Sequence, residues 1–168
     1  MVRLVWLGAL GLSLGACGPL GSASKIDTPF DARAAAYAKL SGTGRIEGQA
    51  FLRRDYGRLV TAAGERVFLI PATAYTVRRF DLMFDGERRS YYGNAVDDPP
   101  PEYYEYRRET KVDMAGKFTF ENLAPGRYIV ATRVFWTEPK SFFTHGGAMY
   151  DIVDVREGET ATGIISGK

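Results

Sequence analysis

The residues best suited to bind a ligand form a dense tyrosine cluster. Five of the ten tyrosines lie between positions 91 and 106, and two arginines follow them. The candidate ligand-binding residues are Tyr91, Tyr92, Tyr103, Tyr104, Tyr106 and Arg107. Tyrosine and arginine are enriched at binding hot spots because they combine large, rigid side chains with polar ends. The alternative is structural, because the same rings could cover an open edge of a sheet.

The chain carries few groups that could catalyse a reaction. His145 is the single histidine, and its neighbours Gly146 and Gly147 predict that it lies in a loop. A single cysteine allows neither an internal disulfide nor a thiolate-rich zinc site. A net charge of +2 does not favour a dedicated nucleic-acid binder. We therefore expect no catalytic residues, no metal, no cofactor and no nucleic-acid partner.

The N-terminus has the pattern of an export signal. Arg3 precedes the apolar stretch Leu4–Leu14, which contains no ionisable side chain. As a helix this stretch would be roughly 16 Å long, about half the thickness of a bilayer's hydrocarbon layer, so it is too short to span a membrane. The pattern predicts a signal peptide over residues 1–16.

The end of this signal resembles the lipobox of bacterial lipoproteins, in the residues Leu14-Gly15-Ala16-Cys17. The resemblance implies cleavage between Ala16 and Cys17, and attachment of fatty acyl chains such as palmitate to Cys17. Several chains would anchor the protein stably to a membrane. Gly18 stands where an inner-membrane retention signal would have aspartate, which implies the bacterial outer membrane and a body that faces the periplasm. The alternative is an ordinary signal peptide.

A spacer and a helix are expected before the main body. Residues 17–29 would form the lipid anchor and a flexible spacer, rich in Gly, Ser, Ala and Pro, and the domain would cover residues 30–168. The alanine-rich stretch Phe30–Leu40 predicts a short helix. Its expected packing residues are Phe30, Ala34, Tyr37 and Ala38.

From Gly44 onward the apolar residues alternate with polar ones, as in strands with one buried face. About seven short strands are predicted, over Gly44–Arg53, Arg66–Pro71, Tyr106–Val112, Lys117–Glu121, Arg127–Trp136, Ile152–Val155 and Thr160–Ile165. Trp136 would lie in the core or at its rim. The fold class that this count predicts is an all-β sandwich, Ig-like or transthyretin-like.

The stretch Leu123–Arg127 predicts a tight turn. Pro125 would preset its own φ and Gly126 would supply the positive φ of a type II turn, which joins two strands as a hairpin. The longer stretch Gly116–Val130 resembles the G-x-F-x-F-x-x-L-x-P-G-x-Y-x-V hairpin of carboxypeptidase-regulatory-like domains. These are transthyretin-like sandwiches related to Cna B-type modules. The resemblance covers about Gly44–Ile165 and implies an accessory domain without catalytic residues.

A long insertion, Ala72–Pro101, departs from the compact form of that family. Within it, Val77, Phe80, Met83 and Phe84 have helical spacing, and Asp97–Pro101 predicts an extended break. Long loops in compact domains are usually functional or disordered.

Two functions are compatible with these features. The first is a lipid-anchored, non-catalytic module of the cell envelope that binds a protein partner or has a structural role. The alternative is a carbohydrate-binding or cell-wall-binding module that uses the tyrosine-rich insertion.

Overall fold

The protein is a β-sandwich built from two sheets. The computed structural model describes residues 23–54, 57–140 and 142–168, and nine strands and three α-helices lie within them. This confirms the predicted all-β sandwich with a few short helices. In the described part of the chain, no helix has both the length and the apolar character needed to cross a membrane.

The first sheet is organised around one central strand. Strand β1 (Gly44–Arg53) pairs antiparallel with β2 (Leu59–Thr61) and β6 (Lys117–Leu123), and parallel with β9 (Thr160–Ile165). Its buried residues alternate as predicted, because one face of the strand lies against the core. The three-residue β2 is too short to leave an alternating pattern, and the sequence did not predict it.

The second sheet has five strands. In spatial order they are β4 (Arg89–Ser90), β8 (Thr144–Val155), β7 (Gly126–Thr137), β3 (Arg66–Pro71) and β5 (Arg108–Lys111). The long strands β7 and β8 pair along their whole length. Strand β8 begins well before the predicted Ile152, and the two-residue β4 was not predicted.

The core between the sheets contains most of the residues that the alternation predicted to face inward, together with Val153 and Ile165. The first sheet contributes Ile46, Ala50, Leu52, Phe118, Phe120 and Ile165, and the second contributes Val67, Leu69, Tyr128, Val130, Val134 and Val153. Trp136 packs against the rim of this core. Burial of this apolar surface is the main stabilising contribution to the sandwich.

The predicted N-terminal helix is present but short. Helix α1 (Ala32–Ala35) begins after Asp31, whose side chain accepts a hydrogen bond from the Arg33 amide, and a 3₁₀ turn (Ala36–Lys39) follows. Ala35, not the predicted Ala34, is the buried residue. The change from α to 3₁₀ geometry after one turn shifts the face that the helix buries.

The insertion folds into two helices. The predicted helix is confirmed as α2 (Ala74–Phe84), which starts in a capping box between Thr73 and Thr76 and ends at Asp85 in the left-handed conformation. A second helix, α3 (Pro101–Glu105), was not predicted. Pro101 was expected in the extended break but is the first residue of α3, where its missing N–H removes no hydrogen bond.

The insertion covers the outer face of the five-stranded sheet. Tyr75, Phe80, Phe84 and Tyr103 pack there against Ile70, Ile129 and Tyr150, and form a second buried cluster. Adjacent residues of β7 are therefore both buried, with Val130 facing the main core and Ile129 facing the insertion. The covered region is a sheet face and not the sheet edge that the sequence suggested.

The connection between β6 and β7 corrects a prediction. These strands belong to different sheets, so Leu123–Gly126 crosses the sandwich and does not form a hairpin. Gly126 has no positive φ, so the predicted type II turn is wrong. Glycine is required there for space, because a Cβ atom would lie 2.4 Å from Cε2 of Tyr37.

The packed chain begins earlier than the expected boundary at Phe30. The amide of Ser24 donates a hydrogen bond to the Ala95 carbonyl at 2.8 Å, and Ile26 packs against the cluster under the insertion. Part of the predicted spacer thus pairs with the insertion. The predicted signal peptide, Ala16 and Cys17 lie outside the described residues.

Candidate functional site

The structure separates the predicted tyrosine cluster into three places. Tyr91 and Tyr92 lie in a cleft at the end of the sandwich. Tyr103, Tyr104 and Arg107 line a groove between the insertion and the sheet. Tyr106 lies at a shallow third depression, where the Lys39 ammonium is 4.1 Å from its ring centroid.

The first site, here called the aromatic cleft, has a volume of about 970 Å³. It forms where the ends of β1, β4 and β7 meet the start of β8. Its described lining residues are Arg53, Arg54, Arg58, Arg89, Tyr91, Tyr92, Trp136, Glu138, Phe143, Thr144, His145 and Gly146. The cleft is within the size range of small-ligand sites.

Two stacked rings form the centre of the aromatic cleft. Trp136 on β7 and His145 on β8 are direct cross-strand partners, with ring centroids 5.7 Å apart and planes inclined by 18°. His145 therefore lies in a strand, not in the predicted loop. Trp136 is half-buried and His145 is exposed, so the pair presents aromatic surface to the cleft.

Two glycines allow β8 to extend as far as His145. A Cβ atom at Gly146 would lie 1.9 Å from the Val134 carbonyl oxygen, and one at Gly147 would lie 2.5 Å from that of Ser90. Both residues have positive φ. The Gly-Gly pair thus permits close approach of three strands, although in the sequence it resembles a loop signal.

A charged network fixes the edge of the indole ring. Nε1 of Trp136 donates a hydrogen bond to Oε1 of Glu138 at 3.2 Å, and Arg54 forms an ion pair with the same carboxylate. The Arg54 guanidinium carbon lies 5.7 Å from the Trp136 ring centroid. These contacts hold the ring in place before any ligand arrives.

The two tyrosines of the aromatic cleft differ in hydrogen bonding and exposure. The Tyr91 hydroxyl donates a 2.6 Å hydrogen bond to the Thr144 carbonyl, which ties the ring to β8. Tyr92 packs edge-on against Tyr91 and is 92% exposed. One ring is positioned by the strand, and the other is available to a ligand.

The aromatic cleft carries a positive charge. Four arginines and one glutamate are among its described lining residues. Arg54 pairs with Glu138, but Arg58 and Arg89 have no carboxylate partner in the described part of the chain. Such unpaired cations attract anionic groups.

The second site, here called the arginine-rimmed groove, has a volume of about 390 Å³. It lies between the helices of the insertion and the outer face of the five-stranded sheet. Apolar side chains form its floor, namely Phe68, Ile70, Phe80, Met83, Phe84, Ala131 and Ala148. Polar lining residues include Glu65, Arg66, Arg79, Tyr103, Arg107 and Arg133.

Three of the rim arginines already have oxygen partners. Arg133 pairs with Glu65 at 2.8 Å, Arg66 pairs with Glu109 at 3.7 Å, and Arg79 donates to the Asp97 carbonyl. Arg107 differs, because its guanidinium carbon lies only over rings, 4.4 Å from the centroid of Phe68 and 5.4 Å from that of Tyr104. Its N–H groups remain able to bind an anion.

Tyr103 is a buried polar residue of the groove. It is 6% exposed and packs edge-on against Phe30 and Tyr75. Burial raises the pKa of Tyr103 to about 12, against the opposing positive charges of Arg79 and Arg107. Its hydroxyl has no hydrogen-bond partner among the residues described.

Sequence reasoning missed the four arginines of the aromatic cleft and the pairing of Trp136 with His145. The only sequence signal was the doublets Arg53-Arg54 and Arg88-Arg89, each at a strand end. Within residues 23–54, 57–140 and 142–168, no group of His, Cys, Asp or Glu side chains is arranged to hold a metal ion.

Comparison with known proteins identifies a structural relative. Neither a family model nor a curated protein matches the chain. A crystal structure of a "putative carbohydrate binding protein" from Pseudomonas aeruginosa superposes with a TM-score of 0.67. The two chains are 24% identical over 82% of this chain and 97% of the other. This similarity shows a shared fold.

Proposed function

We propose that the protein is a non-catalytic carbohydrate-binding module and that the aromatic cleft is its saccharide site. The observation that carries the proposal is the Trp136–His145 surface, which lies among arginine and tyrosine side chains. Apolar C–H faces of sugar rings pack on aromatic rings, and the surrounding polar groups bind sugar hydroxyls. Aromatic surfaces with a few placed polar groups are typical of small-ligand sites.

The relative from Pseudomonas aeruginosa supports this proposal, because its description names carbohydrate binding and it has the same fold. A fold by itself hosts many functions, so the argument depends on the residues of the cleft. Arg58 and Arg89, which have no carboxylate partner among the described residues, favour a saccharide that carries acidic groups.

The proposal also includes a location. In it, lipid on Cys17 tethers the sandwich to the bacterial outer membrane, on the periplasmic side, where envelope saccharides are within reach. The sandwich acts as an accessory module like the carboxypeptidase-regulatory-like domains that it resembles. Substitution Cys17→Ser should leave an unprocessed or soluble chain, and intact-mass analysis of the membrane fraction measures this. An unmodified mature chain that begins elsewhere would contradict the anchor.

The saccharide site is tested with the detergent-solubilised mature protein on arrays of neutral and acidic glycans. Trp136→Ala should weaken binding about 30-fold, equivalent to about 2 kcal/mol for a hot-spot aromatic residue. Tyr104→Ala is the matched control, because it removes an exposed aromatic ring from the other site. Absence of glycan binding by the unaltered protein, or full binding by the Trp136 variant, would reject the proposal.

A second candidate function is binding of an envelope protein, as the sequence suggested. The observation that favours it is an exposed aromatic tip between β7 and β8, where Phe142 is 101% and Phe143 77% exposed. Exposed aromatic patches often mark protein interfaces. In-cell crosslinking followed by mass spectrometry should recover one partner with the unaltered protein and lose it with Phe142→Ser.

A further inference from the structure

We propose that the arginine-rimmed groove is a second binding site, for a small amphipathic anion with a carboxylate head and an apolar body. The inference is independent of the saccharide site, because the two sites share no described lining residue.

The floor of the groove determines the apolar body. Ile70, Phe80 and Phe84 are buried side chains that form its base. Its volume of about 390 Å³ falls within the range for small-molecule sites. An aliphatic or aromatic body placed there would remove further apolar surface from water.

Arg107 determines the charged head. Its guanidinium carbon lies 4.4 Å from the ring centroid of Phe68 and 5.4 Å from that of Tyr104, and the group has no carboxylate partner among the described residues. A planar guanidinium presents a fork of N–H donors that matches a carboxylate. Arg79 also lines the groove. Its positive charge, like that of Arg107, opposes the rise in the pKa of Tyr103, so both cations act near that side chain.

The Tyr103 hydroxyl supplies a second, independent observation. It belongs to a side chain that is 6% exposed, yet no described residue accepts its hydrogen bond. This hydroxyl is therefore available to donate a hydrogen bond to an oxygen of a bound carboxylate. The Tyr103 hydroxyl, the Arg107 guanidinium and the apolar floor therefore surround one space. A carboxylate with an apolar tail matches all three.

The test compares octanoate with 1-octanol, which has the same chain length but no charge. Titration of the detergent-free folded protein by isothermal calorimetry, with methyl NMR shifts of Met83 and Ala148 as the location signal, should show octanoate binding at least about tenfold tighter than octanol. Arg107→Ala should remove this preference. Tyr103→Phe should weaken octanoate about threefold or more and leave octanol unchanged, since it deletes one hydrogen bond.

Three controls keep the result decisive. Arg156 is an exposed arginine that does not line the groove, so the Arg156→Ala variant should bind octanoate as the unaltered protein does. Trp136→Ala should lose saccharide but retain octanoate, which separates the two proposals. If Arg107→Ala does not fold, Tyr103→Phe decides, because phenylalanine keeps the packed ring. Equal binding of octanol and octanoate, no binding of either, or shifts away from the groove would overturn the inference.

Discussion

The aromatic cleft and the arginine-rimmed groove carry the same set of charged residues on different floors. Each has four arginines and one glutamate among its described lining residues. The cleft exposes the stacked rings of Trp136 and His145, whereas the groove has a base of buried aliphatic and aromatic side chains. The two sites therefore carry similar charges. We expect the residues of the floor to determine whether a saccharide or an anion with an apolar body binds.

The two sites also differ in construction. Strand ends of the sandwich build the aromatic cleft, while helices α2 and α3 of the insertion form one wall of the groove. Substitutions that loosen the insertion should therefore damage one site and spare the other. The following predictions test this separation, beginning with the largest expected effect.

Phe80→Ala should have the largest effect. Phe80 lies on the buried face of α2, and its ring centroid is 4.9 Å from that of Tyr150. Loss of this packing should lower the free energy of unfolding by about 3–5 kcal/mol. Denaturant unfolding measures the loss, and calorimetry should show octanoate binding abolished while saccharide binding persists. Val77→Ala, at a partly buried site of the same helix, is the milder control. Joint loss of both ligands in the folded variant would show that the sites are coupled.

The double substitution Arg58→Ala with Arg89→Ala should have an intermediate effect. Because both cations lack described carboxylate partners, their removal should weaken binding of an acidic saccharide about tenfold at low salt, with a smaller effect at high salt. A neutral saccharide should be little affected. The control is Arg66→Ala with Arg133→Ala, which removes the ion-paired arginines of the other site. An equal loss for neutral and acidic saccharides would contradict the role of charge.

The smallest effect should appear in alkaline solution. The pKa of Tyr103 is raised from 10.0 to about 12, chiefly by burial. The folded state therefore holds this proton more strongly than the unfolded state, so stability should fall as the pH rises from about 10 to 12. Tyr103→Phe should remove part of this fall, measured by thermal unfolding across that range. Tyr37, whose pKa is also raised to about 12, should account for another part of the fall, and Tyr37→Phe tests that share. Burial also raises the pKa of Tyr128 and Tyr150, which should contribute the rest. An unchanged pH profile in both variants would contradict the assignment.

Several elements were predictable from local pattern. The alternation in Gly44–Arg53 and Lys117–Glu121 correctly placed Ile46, Phe118 and Phe120 in the core. The helical spacing of Val77, Phe80 and Phe84 matched α2 because one face of that helix packs on the sheet. Such patterns predict burial correctly where a residue's burial depends only on which face of its strand or helix it occupies.

Other features depended on contacts between distant segments. The Leu123–Gly126 connection has the composition of a turn, yet it crosses between sheets because β6 pairs with β1 and β7 with β3 and β8. His145 lies in strand β8, because Gly146 and Gly147 leave room for the neighbouring strands. In the sequence, the same glycine doublet indicated a loop. Tyr104 and Tyr106 line different depressions because α3 ends between them, at Glu105.

The amino-acid sequence by itself determined the alternating strands and the amphipathic α2, because periodicity is a property of adjacent residues. The tertiary structure alone decided which side chains share a site. Trp136 meets Arg54, and Arg107 meets Phe68, only because strand pairing and sheet packing bring remote segments together. Recognition surfaces depend on those long-range contacts, which no local pattern encodes.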